Sequence, residues 1–238
     1  MKWAQITDKG LAREVNEDNL LVIPQLGLLA IADGMGGHRG GKIASSMALR
    51  TLEQELSRLL QQGGERRRSL QDAVKMANNA IFARSQEDPE LKGMGTTITA
   101  CLEQKGELLI AHIGDSRAYL LHRQEIRQLT KDHSVAQELL RKGGISKEQA
   151  LTHPQKNMLT RALGAEPFVE VDIYLETLSA GDHLLLCTDG LTRYVSQTEI
   201  MEVLLTEADL ERKVQTLLSK ALAAGGADNI TIVVACFE

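Results

Sequence analysis

Residues 96–122 read TTITACLEQKGELLIAHIGDSRAYLLH. Three apolar runs, Thr96–Leu102, Glu107–Ile113 and Arg117–His122, are separated only by EQKG and GDS. Connections that short cannot hold the crossover helix of a parallel pair, so the three strands are expected to pair antiparallel. Working outward, strand patterns recur at Trp3–Thr7, Asn19–Ile23, Leu28–Ala32, Val169–Leu175, His183–Thr188 and Ile230–Cys236. Helical patterns cover about 41–61, 69–85, 134–142, 196–205 and 209–223, with a further piece after Ile145 that Ser146 would cap. Strands in runs and helices in pairs predict an α+β fold with antiparallel sheets, not a doubly wound one. No repeat, low-complexity tract or linker divides residues 1–238, so one domain is expected. Residues 143–167, with His153-Pro154 and Gly164, read as a semi-independent excursion from it.

The 238 residues can bury a full core, and 43% apolar with 25% charged residues is ordinary for a globular domain. Only 3% are aromatic, so that core must be aliphatic. A formal charge of -5 argues against a nucleic-acid binder. The one basic run, Arg66-Arg67-Arg68, reads as a solvated loop beside Gly63-Gly64-Glu65. Cys101, Cys187 and Cys236 stand far apart among apolar neighbours, a spacing that suits neither a disulfide framework nor zinc. The N-terminal MKWAQITDKG has no apolar leader, and no run approaches a membrane span. A cytoplasmic protein with no membrane and no nucleic-acid partner is expected.

The chemistry concentrates in four acids. Asp33 and Asp189 each end an apolar strand (LLAIA, HLLLCT) and precede glycine; Asp115 follows AHIG, and Asp228 precedes NITIVV. One Asp-Gly is an ordinary turn, but four acids at strand ends are costly without positive partners. An oxygen-rich set of this kind suits Mg²⁺ or Mn²⁺. The bare loop AIADGMGGHRGG (30–41) then lets backbone approach a metal or phosphate. Two near-miss motifs fail on chemistry. Gly36–Lys42 matches a P-loop until Ile43 replaces the hydroxyl that would hold Mg²⁺. Cys187–Arg193 matches C-x5-R, but Asp189 beside the sulfur opposes a thiolate.

Seven segments, TDKGLAREVNED (7–18), AIADGMGGHRGG (30–41), GMGTT (93–97), AHIGDSRAYLL (111–121), LTKDHS (129–134), LLLCTDGLT (184–192) and GGADNIT (225–231), together resemble the bacterial PP2C-like (PPM) metal-dependent protein serine/threonine phosphatases. The resemblance implies a β-sandwich of two antiparallel sheets flanked by helices, with a flap over the cleft at 143–167. It implies that Asp33 bridges two metals, Gly34 offers its carbonyl, and Asp189 and Asp228 ligate the second ion. Glu17 would act through a metal-bound water, and Asp115 with Asp189 would form a weaker third-metal site. Arg13 would grip the substrate phosphate and His38 would be the general acid. The implied reaction is attack of a metal-bridging hydroxide on phosphoserine or phosphothreonine, with Mn²⁺ or Mg²⁺ as cofactor. The implied partners are phosphoproteins, including a bacterial-type Ser/Thr kinase or its substrates, with the chain as a monomer.

Plainer readings attach to other residues. Asp8 and Asp18 are expected to cap or turn, with Asn16 and Asp18 as supports behind the ligands. His133 is expected to start a helix, and Ser116 with Arg117 either braces the Asp115 loop or simply starts a strand. His112, His122, His153 and His183 read as packing or surface residues. Against the phosphatase stand a catalytically weak binding module of the same fold and an enzyme of another mechanism.

Overall fold

A computed structural model describes residues 1–36 and 40–237. The first half runs β1 (Lys2–Asp8), β2 (Asn19–Ile23), β3 (Leu28–Ala32), β4 (Gly34–Met35), α1 (Gly40–Gln61), α2 (Arg66–Glu87), β5 (Gly95–Thr96) and β6 (Ile98–Gln104). It continues through β7 (Glu107–Ile113), β8 (Arg117–His122), β9 (Glu125–Gln128), α3 (Val135–Arg141), α4 (Lys147–Thr152) and β10 (Asp172–Thr177). Last come β11 (His183–Cys187), α5 (Asp189–Thr192), α6 (Gln197–Leu205), α7 (Leu210–Ala223) and β12 (Ile230–Cys236). Two five-stranded sheets form, ordered β1-β12-β11-β8-β9 and β10-β7-β6-β3-β2. Their pairings are antiparallel throughout.

The unbroken apolar strands follow from burial on both faces. Along β3, Leu28, Ala30 and Ala32 pack toward α1 and α2, while Leu29 and Ile31 face the other sheet. The inter-sheet layer joins them to Ile110, Leu120, Leu186 and Val233, an aliphatic filling. A third layer packs Leu185, Ile232 and Val234 against Val214, Leu217 and Ala221 of α7. Helix α1 buries Ala44, Ala48, Leu52 and Leu56, the four-residue spacing of one helical face. The order is therefore helix, sheet, sheet, helix, and strand ends emerge together at one end of the sandwich.

Two expectations are corrected, and a new strand appears. Arg66–Arg68 is the first turn of α2, not a loop, because the Glu65 carboxylate caps the Arg67 and Arg68 amides. Arg66 then reaches the Leu102 carbonyl at 3.1 Å. The strand expected at 169–175 begins only at Asp172, since Arg161 holds both the Glu170 carbonyl (3.2 Å) and the Asp172 carboxylate (2.7 Å). Strand β9 was not expected at all. Its hairpin turns through Arg123 and Gln124 at φ 46° and 70°, left-handed conformations with no glycine or asparagine to announce them. The excursion at 143–167 carries α4 and returns to the body through bridges Ser134–Leu159 and Thr96–Leu163. No helix among the described residues is long and apolar enough to cross a membrane.

Candidate active site

Where β3, β7, β11, β12 and the loop after β1 end together, a cleft of about 540 Å³ opens. Arg13, Glu17, Asp33, Gly34, Asp115, Asp189 and Asp228 all line it, with Arg193 beside them and Asn157–Leu159 from the excursion at 143–167. A second cavity of about 480 Å³ lies at the other end of the sandwich beside Met1, Trp3 and Lys213 and gathers no comparable set of buried acids.

Backbone geometry presents each side chain. Asp33 is pinned between strands: its amide donates to Thr97 Oγ1 (2.9 Å), and its carbonyl accepts from the Thr97 amide (2.9 Å) and Thr96 Oγ1 (2.8 Å). Thr97 Oγ1 also meets Ser116 Oγ at 2.8 Å, which ties the Asp33 turn to the Asp115 loop. Gly34 is obligatory there, because a Cβ would fall 2.2 Å from the Gly41 carbonyl oxygen. Part of the glycine content of 30–41 thus serves close packing of α1 on the turn. Asn229 holds the loop that carries Arg13 and Glu17, accepting from the Glu17 amide (2.8 Å) and donating to the carbonyls of Lys9 (2.9 Å) and Val15 (3.0 Å).

The cleft is an electrostatic well. Burial and the neighbouring Asp18, Asp189, Asp115 and Asp228 hold the Asp33 carboxyl well above the ordinary range. Burial, with repulsion from Asp189 and Asp132, lifts Asp115 to about 8. Asp18 rises to about 7 for the same kind of reason, and Asp189 is also raised by burial. Three carboxylate oxygens, Glu17 Oε1, Asp18 Oδ1 and Asp189 Oδ1, are buried with no hydrogen-bond partner. Unpaired buried carboxylate oxygens of this number call for cations, and an all-oxygen set fits hard divalent ions. Among the described residues no three acidic, His or Cys side chains close into a finished ligand set. Instead, arginines hold part of it. Arg13 forks onto Asp228 through Nε (3.0 Å) and Nη2 (3.1 Å), while Arg193 pairs with Asp189 Oδ2 and with Asp228 Oδ2 (3.0 Å).

The sequence profile of the protein phosphatase 2C family matches residues 12–229, from one side of the cleft to the other. The chain belongs to the protein phosphatase 2C family. It is 45% identical to the serine/threonine phosphatase stp of Listeria monocytogenes, over 95% of this chain and 92% of that one. The crystal structure of the serine/threonine phosphatase PstP/Ppp of Mycobacterium tuberculosis superimposes with a TM-score of 0.91 at 40% identity, covering 100% of this chain and 98% of that one. A PstP catalytic domain solved in complex with two manganese ions matches at TM-score 0.86 and 39% identity, over 99% of this chain and 97% of that one.

Set within this phosphatase family, the remaining expectations sort by position. His38 lies outside the described residues. Cys187 is fully buried and its thiol is pushed up to about 12, chiefly by burial, so the C-x5-R resemblance carries no chemistry. Asp18 is no turn residue: it is 5% exposed, with Oδ2 accepting from Thr188 Oγ1 at 2.8 Å behind the other acids. His133 does more than precede a helix. Its Nδ1 accepts from the Gly114 amide at 3.1 Å and its own amide donates to the Gly114 carbonyl at 2.8 Å, clamping the Asp115 loop. Ser116 braces that loop through Thr97, and Arg117 grips Asp132 at 2.7–3.1 Å. Sequence reasoning missed Arg193 and Asn229. The first had a signal, the four-residue spacing from Asp189 on one helical turn; the second had only its place before β12.

Proposed function

We propose that the chain is a divalent-cation-dependent protein phosphatase that hydrolyses phosphoserine and phosphothreonine esters on proteins modified by Ser/Thr kinases. The observation that carries this reading is the set of buried, unpartnered oxygens: those of Glu17 and Asp189 in one cleft with Asp33, Asp115 and Asp228, and that of Asp18 behind them. Asp33, Asp189, Asp228 and the Gly34 carbonyl would hold two ions, Mn²⁺ or Mg²⁺, with Glu17 acting through water. Bound there, such ions would supply the Lewis acidity that makes water a nucleophile near neutral pH.

The protein groups account for the rest. Arg13 sits half-exposed at the mouth, its guanidinium already engaged with carboxylate oxygens. The same planar fork fits two non-bridging phosphate oxygens, so the phosphoryl group would take over donors now spent on Asp228. That exchange would release Asp228 Oδ1 for a cation, while Oδ2 keeps Arg193 at 3.0 Å. His38, in the glycine loop, is assigned the proton for the departing seryl or threonyl oxygen. No thiol takes part, consistent with fully buried Cys101 and Cys187.

The test is phosphate release from a phosphothreonine peptide by metal-stripped protein after adding Mn²⁺, Mg²⁺, Ca²⁺ or nothing. Release restored by Mn²⁺ or Mg²⁺, lost in Asp33→Asn and untouched by iodoacetamide is expected. Equal release without added ion, or full activity in folded Asp33→Asn, would defeat the proposal.

A further inference from the structure

Asp189 divides its two oxygens. Oδ1 is buried without a partner; Oδ2 is taken by the guanidinium of Arg193. The pairing is built into the fold. Asp189 opens α5 and Arg193 closes it, with the Arg193 amide donating to the Asp189 carbonyl at 2.9 Å, so the two side chains share one helical face. Arg193 also reaches Asp228 Oδ2 at 3.0 Å, and its side chain is only 32% exposed. It borders both the main cleft and the adjoining recess that Asp115, Asp189 and Asn157 share.

Two arginines, Arg193 and Arg117, act on Asp115. Arg117, the other cation of its strand, spends Nε and Nη2 on Asp132 and Nη1 on the Tyr119 hydroxyl. Of these two arginines, Arg193 is the one whose ion pairs run to Asp189 and Asp228, and Lys156 lines the same recess. From this geometry we infer that Arg193 takes the place of a third divalent ion between Asp115 and Asp189, so that the chain binds two ions and not three. The inference rests on the two-ion reading above. A third ion would have to displace the guanidinium from Asp189 Oδ2 and then sit beside it, like charge against like charge in a part-buried recess.

Metal counting on the full chain tests this without reference to turnover. Metal-stripped protein is titrated with Mn²⁺ to millimolar concentration, with bound ion read by calorimetry and free ion by electron paramagnetic resonance. Wild type and Arg193→Lys are expected to saturate at two ions. Arg193→Asn is expected to bind a third at least tenfold more tightly than wild type does, and Arg193→Asn with Asp115→Asn to return to two. A third ion in wild type with the affinity seen in Arg193→Asn would overturn the inference while leaving the two-ion site intact. So would a folded Arg193→Asn that stops at two. No bound ion in any variant would overturn the two-ion site and the inference with it.

Discussion

At the floor of the cleft the Thr97 hydroxyl accepts the Asp33 amide and meets Ser116 Oγ, so one small side chain spans the loops that present Asp33 and Asp115. Thr97→Val keeps the shape and removes the oxygen, leaving a buried amide and a buried hydroxyl without this partner. A loss of about 2 kcal/mol is expected in urea unfolding, because an unsatisfied buried group costs more than a hydrogen bond gains. Weaker Mn²⁺ binding should accompany it. Wild-type stability and affinity in the valine variant would mean that the bridge does not hold the two loops. GMGTT is visible in the sequence as a motif, yet the role of Thr97 is not. Its partners lie 64 and 19 residues away, beyond any local pattern.

Among the elements, the loop between β1 and β2 has no ladder of its own and depends on Asn229 and on the Leu11 amide bond to Gly226 (2.7 Å). Asn229→Ala removes three part-buried hydrogen bonds at once. Destabilisation of roughly 2–4 kcal/mol is expected, with faster amide exchange confined at first to residues 9–17. Unchanged exchange at Glu17 would show that the loop is held by other means. Read alone, Asn229-Ile230-Thr231 is just the start of a strand. Elements with clear periodicity were legible: the doubly buried β3, the stripe on α1 and the cap at Ser146 all follow local rules. Those set by distant partners were not, such as the late start of β10, which waits on Arg161.

For the whole molecule, the acid cluster ties stability to pH and to cations. Asp18 and Asp115 titrate near 7 and 8 when folded against about 3.8 when free, and Asp33 and Asp189 are raised too. The folded chain therefore binds more protons than the unfolded one across that interval. These groups stabilise it fully below about 4 and lose that contribution as pH rises toward 8. Cations compete with those protons, so the gain in Tm on adding Mn²⁺ should grow between pH 5 and 8. Thermal melts with Mn²⁺ or chelator across that range check it, and a gain independent of pH would contradict the cluster as the binding site.

The sequence by itself determined the antiparallel pairing, most of the helix and strand inventory though not β4 or β9, and the acids at strand ends, because loop length, side-chain period and composition act locally along the chain. It also carried the family, in seven segments spread from Thr7 to Thr231. Only the tertiary structure decided which charges meet. Arg13 faces Asp228 across 215 residues of chain, and Arg193 rather than Arg117 faces Asp189 because Asp132 has already claimed the other guanidinium. Pairings of that kind arise from how the sandwich brings strand ends together, and the division of Asp189 between a free oxygen and an arginine is their consequence.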